Sequence, residues 1–179
     1  PSNILYNVVV GKIVPETVLK NGGNPIRVRV GHSFIKETMK KTEAIFAGEH
    51  SGHFYFKDLY FADSSFVAGL YFLSFLSGES RKLSQIVKEF DKYCQSGEIN
   101  FLVKDTDKIQ EIILGEFPSN KNDRIDGLSI WYDKWWINLR ASKTEPLLRL
   151  NLEADSKDIL LDKLTKIEKI IIKEGGKRV

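Results

Sequence analysis

The feature that most constrains the fold is the order of strand-like and helix-like segments before Gly97. Short apolar or β-branched runs occur at residues 4–10, 26–30, 44–47 and 54–56, and helix-like runs begin at Pro15, Phe34, Ser64 and Ser80. Strands and helices alternating at this spacing are typical of an α/β domain. We therefore predict a mixed-sheet α/β/α domain over residues 1–97.

The order of segments changes beyond Gly97. A strand at residues 99–103 and a helix capped by Asp105 or Thr106 are followed by strands at 127–132, 135–140 and 147–153, then by a helix at 156–173. The order βαβββα predicts helices packed on one antiparallel sheet, which is a small α+β domain. We predict this second domain over residues 98–179 and expect the segment after Gly175 to be a frayed basic end.

Composition narrows the class of protein. The chain has 179 residues, 42% of them hydrophobic, which is enough to form a core. Its net charge is only +3 and acids and bases are interleaved, which argues against a nucleic-acid binder. The apolar run at residues 67–76 is too short to span a membrane, and no signal peptide precedes the first strand. We therefore expect a cytoplasmic protein.

Two features of the sequence bear on its completeness and on metal binding. Cys94 is the only cysteine, so neither an intramolecular disulfide nor a cysteine-based metal site can form. The chain begins without Met and enters a strand at once, so we expect a piece excised from a longer chain.

The loop from Gly48 to His53 follows a buried strand, where open α/β sheets place their ligands. Its two glycines allow a close approach of the backbone, and Glu49, Ser51 and His53 offer an acceptor, a hydroxyl and a proton carrier. Three interpretations stay open: a site for sugar hydroxyls, an ordinary polar turn, and a metal site built from Glu49, His50 and His53.

The segment from Arg140 to Pro146, with Arg149 on the next strand, is a candidate phosphate site. It combines cations, two hydroxyls and backbone N–H groups, which are the donors that a phosphate dianion requires. The alternative is an ordinary polar hairpin loop. The aromatic cluster at residues 131–136 could stack on bases, but a hairpin also needs such side chains for packing, and we favour packing.

Taken together, three segments resemble the α-D-phosphohexomutases, the phosphomannomutase and phosphoglucomutase enzymes. These segments are Val30 to Lys36, Gly48 to His53, and Arg140 to Pro146 continuing to Arg149. The family has four domains, and the resemblance implies that this chain is the third, which is α/β, and the fourth, which is similar to the TATA-binding protein.

The resemblance also implies roles for individual residues. Gly48, Glu49 and Ser51 would contact the sugar, and His53 and His32 would line the catalytic site. The non-transferred phosphate would be held by the following residues: Arg140, Ser142, Lys143, Thr144 and Arg149. No metal ligand is implied within this chain.

The family's phosphoserine loop and its Asp-rich Mg²⁺ loop lie in its first two domains and are absent from this sequence. We therefore expect Mg²⁺ and the hexose 1,6-bisphosphate intermediate to serve the longer enzyme, with hexose phosphate and the missing domains 1 and 2 as partners. The 179-residue chain alone should bind sugar phosphates weakly and lack activity, because the phosphoryl donor is missing. The alternative is a stand-alone sugar-phosphate-binding module.

Overall fold

The structure, a computed structural model, describes residues 1–142 and 144–179. The chain divides into two compact units, residues 1–92 and 93–179, which are described separately below.

The first unit has a mixed five-stranded sheet in the order β2-β1-β3-β4-β5. Strands β1 to β3 are parallel, and β4 and β5 run antiparallel to their neighbours. Its elements are β1 (Asn3–Asn7), α1 (Ile13–Lys20), β2 (Asn24–Val28), α2 (His32–Thr42), β3 (Phe46–Gly48), β4 (Phe54–Phe56), a 3₁₀ turn (Lys57–Leu59), β5 (Ala62–Asp63), α3 (Ser65–Ser77) and α4 (Leu83–Lys88). This is the mixed α/β unit that the sequence predicts.

The two faces of this sheet are covered differently. Leu5 on β1 and Ile35 and Met39 on α2 are fully buried in one core. On the opposite face, Ile4 and Phe46 line a groove with residues of α1. Successive strand residues point to opposite faces, so β1 contributes to both layers.

Helix α3 is apolar on all sides, yet none of its residues is buried. Phe66 is 76% exposed and Leu73 is 62% exposed. Tyr71 of this helix stacks on Phe56 with ring centres 5.6 Å apart, and beside this contact a groove of about 790 Å³ is lined by residues of the helix and by Phe46 and Phe54.

Helix α4 is shorter than the sequence predicts. The pattern predicted an amphipathic helix from Ser80 to about Tyr93, whereas the helix spans Leu83–Lys88. Only Ile86 of its apolar face is buried, and Val87 and Phe90 are about half exposed. A helix this short depends on packing for its stability, so an apolar face without a partner does not extend it.

The second unit has an antiparallel six-stranded sheet in the order β11-β6-β10-β9-β8-β7. Its elements are β6 (Cys94–Leu102), α5 (Thr106–Glu116), β7 (Asn122–Asp123), β8 (Leu128–Trp131), β9 (Trp135–Ala141), β10 (Leu147–Ala154), α6 (Lys157–Lys173) and β11 (Lys177–Arg178). Side chains of both helices and of the sheet form one core, in which Phe101, Ile113 and Ile167 are fully buried. The predicted α+β architecture is confirmed, with short edge strands added.

Two local expectations were wrong. The segment after Gly175 is not frayed, because Lys177 and Arg178 pair with β6 as an edge strand. Gly97 does not precede the strand but lies within β6, at a positive φ of 68° and beside a register shift. Such a bulge lets the strand continue past a glycine. Among the described residues, no helix combines the length and the apolar character needed to cross a membrane.

Candidate functional site

The first group of candidate residues lies where the parallel strands end. Asn7 closes β1 and Gly48 closes the neighbouring β3, so Glu49 leaves the sheet beside Asn7. The carboxyl ends of adjacent parallel strands are where open α/β sheets place their ligands. The sequence predicted this position for the loop from Gly48 to His53.

Glu49 is buried and held by two donors. Its Oε1 accepts from the Tyr55 hydroxyl at 2.6 Å, and its Oε2 accepts from the Asn7 amide at 3.3 Å. Burial, reinforced by the hydrogen bond to Glu49, raises the pKa of the Tyr55 phenol, so that the phenol stays a donor. Each carboxylate oxygen has a second lone pair, so Glu49 keeps acceptor capacity for a ligand hydroxyl.

The turn between Glu49 and His53 closes on itself. The Glu49 amide donates to the His53 carbonyl at 2.9 Å, and the Gly52 amide donates to the Glu49 carbonyl at 3.0 Å. Gly52 has a φ of +85°, a conformation that glycine adopts without strain. The turn leaves His50 and Ser51 exposed at its tip, where Ser51 can meet a ligand.

His53 is oriented by a carboxylate. Its Nδ1 lies 2.6 Å from Oδ2 of Asp63 on β5, whose Oδ1 accepts from the Phe54 amide at 3.0 Å. Partial burial acts to raise the pKa of Asp63, but the hydrogen bonds from His53 and Phe54 outweigh it and hold that pKa below its usual value. Asp63 is therefore an ionised acceptor, and the Nε2 atom of His53 remains for other partners.

His32 joins this group from helix α2. Its ring centre lies 4.5 Å from that of His53 and 5.3 Å from that of Tyr55, with edge-on geometry in both pairs. The helix begins at His32, after Gly31 with φ 130°. The helix therefore begins two residues before Phe34, where the sequence pattern placed its start.

The second group of candidate residues lies in the second unit. Arg140 near the end of β9 and Arg149 on β10 are direct partners across the antiparallel pair. Glu98 binds both, with its Oε2 at 2.9 Å from Arg140 and its Oε1 at 3.3 Å from Arg149. The buried Nε atoms of both arginines have no hydrogen-bond partner among the described residues.

The hydroxyls of the connecting loop lie beside these arginines. The Ser142 Oγ accepts from Arg149 at 3.5 Å and from the Thr144 amide at 3.4 Å. The Ser142 amide donates to the Leu147 carbonyl at 2.8 Å, which holds the base of the loop. Lys143, also predicted to bind phosphate, lies outside the described residues. The other predicted phosphate ligands are thus adjacent in the second unit.

Sequence reasoning missed the residues that support the candidate ligands. Asn7 and Tyr55 were interpreted only as strand residues, and Asp63 only preceded the helix-like run that begins at Ser64. Glu98 gave no signal because a charged residue beside a glycine is unremarkable. The position of Asn7 at the end of a parallel strand was the one available clue.

The aromatic hairpin is a packing feature. Trp136 is buried and donates from Nε1 to Glu153 at 2.8 Å. Tyr132 stacks on the buried Trp135 with ring centres 4.2 Å apart. These contacts use the ring surfaces that a base would require.

Comparison with known proteins identifies the family. Residues 1–93 match the model of the phosphoglucomutase/phosphomannomutase α/β/α domain III, and residues 98–169 match that of the C-terminal domain of the same enzymes. A phosphomannomutase of Methanocaldococcus jannaschii is 47% identical over 172 residues, which are 96% of this chain and 38% of that protein. A phosphomannomutase of Vibrio cholerae is 41% identical over 164 residues, 88% of this chain and 35% of that protein.

Solved structures agree with this assignment. The crystal structure of a phosphoglucomutase/phosphomannomutase family protein from Burkholderia thailandensis superposes with a TM-score of 0.84 at 26% identity, over 99% of this chain and 39% of that one. The chain thus spans little more than a third of the length of the relatives that it matches. It belongs to the phosphoglucomutase/phosphomannomutase family, of which it comprises domain III and the C-terminal domain.

Proposed function

We propose that this chain is the substrate-binding part of a phosphohexomutase that interconverts hexose 1-phosphate and hexose 6-phosphate. The observation that carries the proposal is the joint fixation of His53 by Asp63 and of Glu49 by Tyr55 and Asn7. Phosphoryl transfer to a sugar hydroxyl requires a proton carrier and a hydrogen-bond acceptor for hydroxyls, both held in fixed orientations.

In this proposal His53 exchanges a proton with the reacting hydroxyl through Nε2. Asp63 accepts from Nδ1 and so fixes the tautomer and the direction of the ring. His32, which is exposed and contacts the His53 ring, lines the same site. Glu49 and Ser51 accept hydrogen bonds from other sugar hydroxyls, and Gly48 lets the ligand approach the backbone.

Arg140, Ser142, Thr144 and Arg149, together with Lys143, hold the phosphate that is not transferred. The guanidinium groups of Arg140 and Arg149 offer planar, charge-assisted donors, and the loop hydroxyls add neutral ones. One fixed clamp can serve both hexose phosphates if the bisphosphorylated intermediate reorients between the two half-reactions.

The chemistry of the donor lies outside this chain in the proposal. The longer protein would supply the phosphoserine and the carboxylates for Mg²⁺, and the bound ion would neutralise charge on the transferring phosphoryl group. Hexose 1,6-bisphosphate is the intermediate, and the enzyme works in the cytoplasm. We expect the 179-residue chain alone to bind hexose phosphates without converting them.

Calorimetric titrations of the 179-residue chain with glucose 1-phosphate and with inorganic phosphate test the two loops. Arg140→Ala should abolish the binding of both ligands, whereas Arg178→Ala, which removes an equal charge from another ion pair, should leave it unchanged. Glu49→Gln should weaken only the sugar phosphate. Unchanged affinity of Arg140→Ala for both ligands would contradict the phosphate site. Mutase turnover by the 179-residue chain would contradict the proposal that the phosphoryl donor lies outside it.

A further inference from the structure

His32, His53 and Asp63 form a compact group that the proposed reaction does not fully use. They come from α2, from the turn after β3 and from β5, and one potential ligand atom of each lies within 4.8 Å of the others. Among the residues that the structure describes, this is the one such group of three. The resemblance to the phosphohexomutases implies no metal ligand in this chain, and the alternative interpretation of the loop was a metal site of Glu49, His50 and His53.

In the structure, Glu49, His50 and His53 lie in different surroundings. The Glu49 carboxylate is buried and engaged by Tyr55 and Asn7, and His50 is exposed at the tip of the turn. Asp63 takes the place of Glu49, although it lies ten residues beyond His53 and on another strand.

Two imidazoles and one carboxylate select among metal ions. Such mixed nitrogen and oxygen ligands suit Zn²⁺, Co²⁺ and Ni²⁺, whereas Mg²⁺ and Ca²⁺ prefer oxygen ligands throughout. A carboxylate and neutral imidazoles are the forms in which these residue types bind such ions. The group therefore differs in chemistry from the Mg²⁺ site expected in the longer enzyme.

The geometry permits entry and coordination. His32 is exposed, and the side chains of His53 and Asp63 are 42% and 21% exposed, so an ion reaches them from solvent. Metal–ligand bonds of about 2.1 Å separate neighbouring ligand atoms by about 3.4 Å in tetrahedral geometry. The 2.6 Å contact between Nδ1 of His53 and Oδ2 of Asp63 must therefore lengthen if both atoms bind the ion, which takes the place of the hydrogen-bonding proton.

We propose that a zinc-class divalent ion binds His32, His53 and Asp63, and that this ion and the sugar phosphate exclude each other. Exclusion rests on the proposed function, because both ligands would need His53. Three protein ligands leave coordination positions for water. The consequence for the enzyme is inhibition by transition metals at a site other than that of its Mg²⁺.

Titration of the 179-residue chain with Zn²⁺ alone, followed by calorimetry, tests the metal site. We expect one ion per chain, and a loss of affinity greater than about tenfold in His53→Gln and in Asp63→Asn. His50→Gln removes the remaining histidine and Cys94→Ser the only thiol, and both should bind as the unchanged chain does. Thermal unfolding of each variant verifies that it is folded, and His32→Gln, at an exposed position, gives a further ligand variant.

Cobalt provides a second readout. Co²⁺ should give visible d–d absorption that is lost in His53→Gln and retained in His50→Gln. Undiminished metal binding in folded His53→Gln and Asp63→Asn, or an equal loss in His50→Gln, would overturn the site, as would the absence of binding to the unchanged chain.

Competition separates this proposal from the proposed function. Saturating Zn²⁺ should lower the affinity for glucose 1-phosphate in the unchanged chain, and metal binding without that effect would overturn the exclusion. If glucose 1-phosphate fails to bind even without metal, the proposed function fails, and the Zn²⁺ and Co²⁺ titrations still decide whether the metal site exists.

Discussion

Arg140 and Arg149 face each other directly across β9 and β10, so two guanidinium groups of like charge share one side of the sheet. Glu98 bridges them, with one carboxylate oxygen on each arginine. A carboxylate thus occupies donors that we propose for a substrate phosphate. The strength of phosphate binding should depend on how readily Glu98 yields these donors.

We expect Glu98→Gln to raise the affinity for inorganic phosphate by up to about fivefold, the equivalent of about 1 kcal/mol for a partly exposed ion pair. The same change should lower the free energy of unfolding by up to about 1 kcal/mol, because the opposed arginines lose their counterion. Calorimetry and urea unfolding measure the two effects.

Glu145→Gln is the matched control for this variant. It removes the same charge from an exposed position in the loop between β9 and β10. An equal gain in phosphate affinity in both variants would indicate a general effect of net charge, and would contradict direct competition by Glu98.

Tyr55→Phe should lower the free energy of unfolding by about 1–3 kcal/mol, because the buried Glu49 carboxylate loses a donor. It should also weaken sugar-phosphate binding, since Glu49 is no longer fixed. Tyr60→Phe serves as a control, because Tyr60 is 94% exposed and should change stability by less than about 0.5 kcal/mol. Urea unfolding at neutral pH distinguishes the two.

Tyr55 should also make the fold sensitive to alkali. Its pKa is raised in the folded state, so above about pH 10 the unfolded chain releases this proton while the folded chain retains it. The free energy of unfolding should therefore fall as pH rises beyond that value. The decline should be shallower in Tyr55→Phe, and identical slopes for the two proteins would contradict this role.

The Asp63 carboxylate predicts the opposite dependence, at acid pH. Its pKa is lowered in the folded state, so its contribution is present above the unfolded value of about 3.9 and is lost as pH falls through the folded value. The difference in unfolding free energy between the unchanged chain and Asp63→Asn should shrink between pH 6 and pH 3. A difference that stays constant over that range would argue against an ionised partner of His53.

The longer elements of the second unit could be predicted because their apolar residues recur with a clear period. Helix α6, with its Ser156 cap and apolar stripe, differs by one residue at its start from the expectation. The two-residue strands β5, β7 and β11 are too short to show any period. Helix α4 was overestimated because its pattern predicts amphipathicity and not the presence of a surface to cover.

The candidate site could be predicted in part for a similar reason. The turn at Glu49 and the loop at Ser142 are local sequence signals, and backbone hydrogen bonds close the turn and hold the base of the loop. The contacts of Glu49 with Asn7 and of His53 with Asp63 depend on strand pairing between distant segments. Such pairs are not visible in the spacing of a single sequence.

Gly127 should be intolerant of substitution. It has a φ of +70°, and a Cβ atom there would lie 2.1 Å from the Leu139 carbonyl oxygen and 2.6 Å from the Arg140 Cα. We expect Gly127→Ala to destabilise the fold by more than about 3 kcal/mol and to disturb Arg140. Gly115→Ala, inside α5 with open space around it, should instead stabilise by about 0.5–1 kcal/mol. Urea unfolding of both variants tests this contrast.

The short strand β11 also determines how the chain tolerates changes at its carboxyl end. Lys177 and Arg178 hydrogen-bond along β6 and place two positive charges at the border of the sheet. Without them the backbone of β6 would be open to pairing with another molecule, and this is the route by which exposed strands aggregate. Removal of Lys177 and Arg178 should therefore expose the edge of β6 at Leu102 and Phe101.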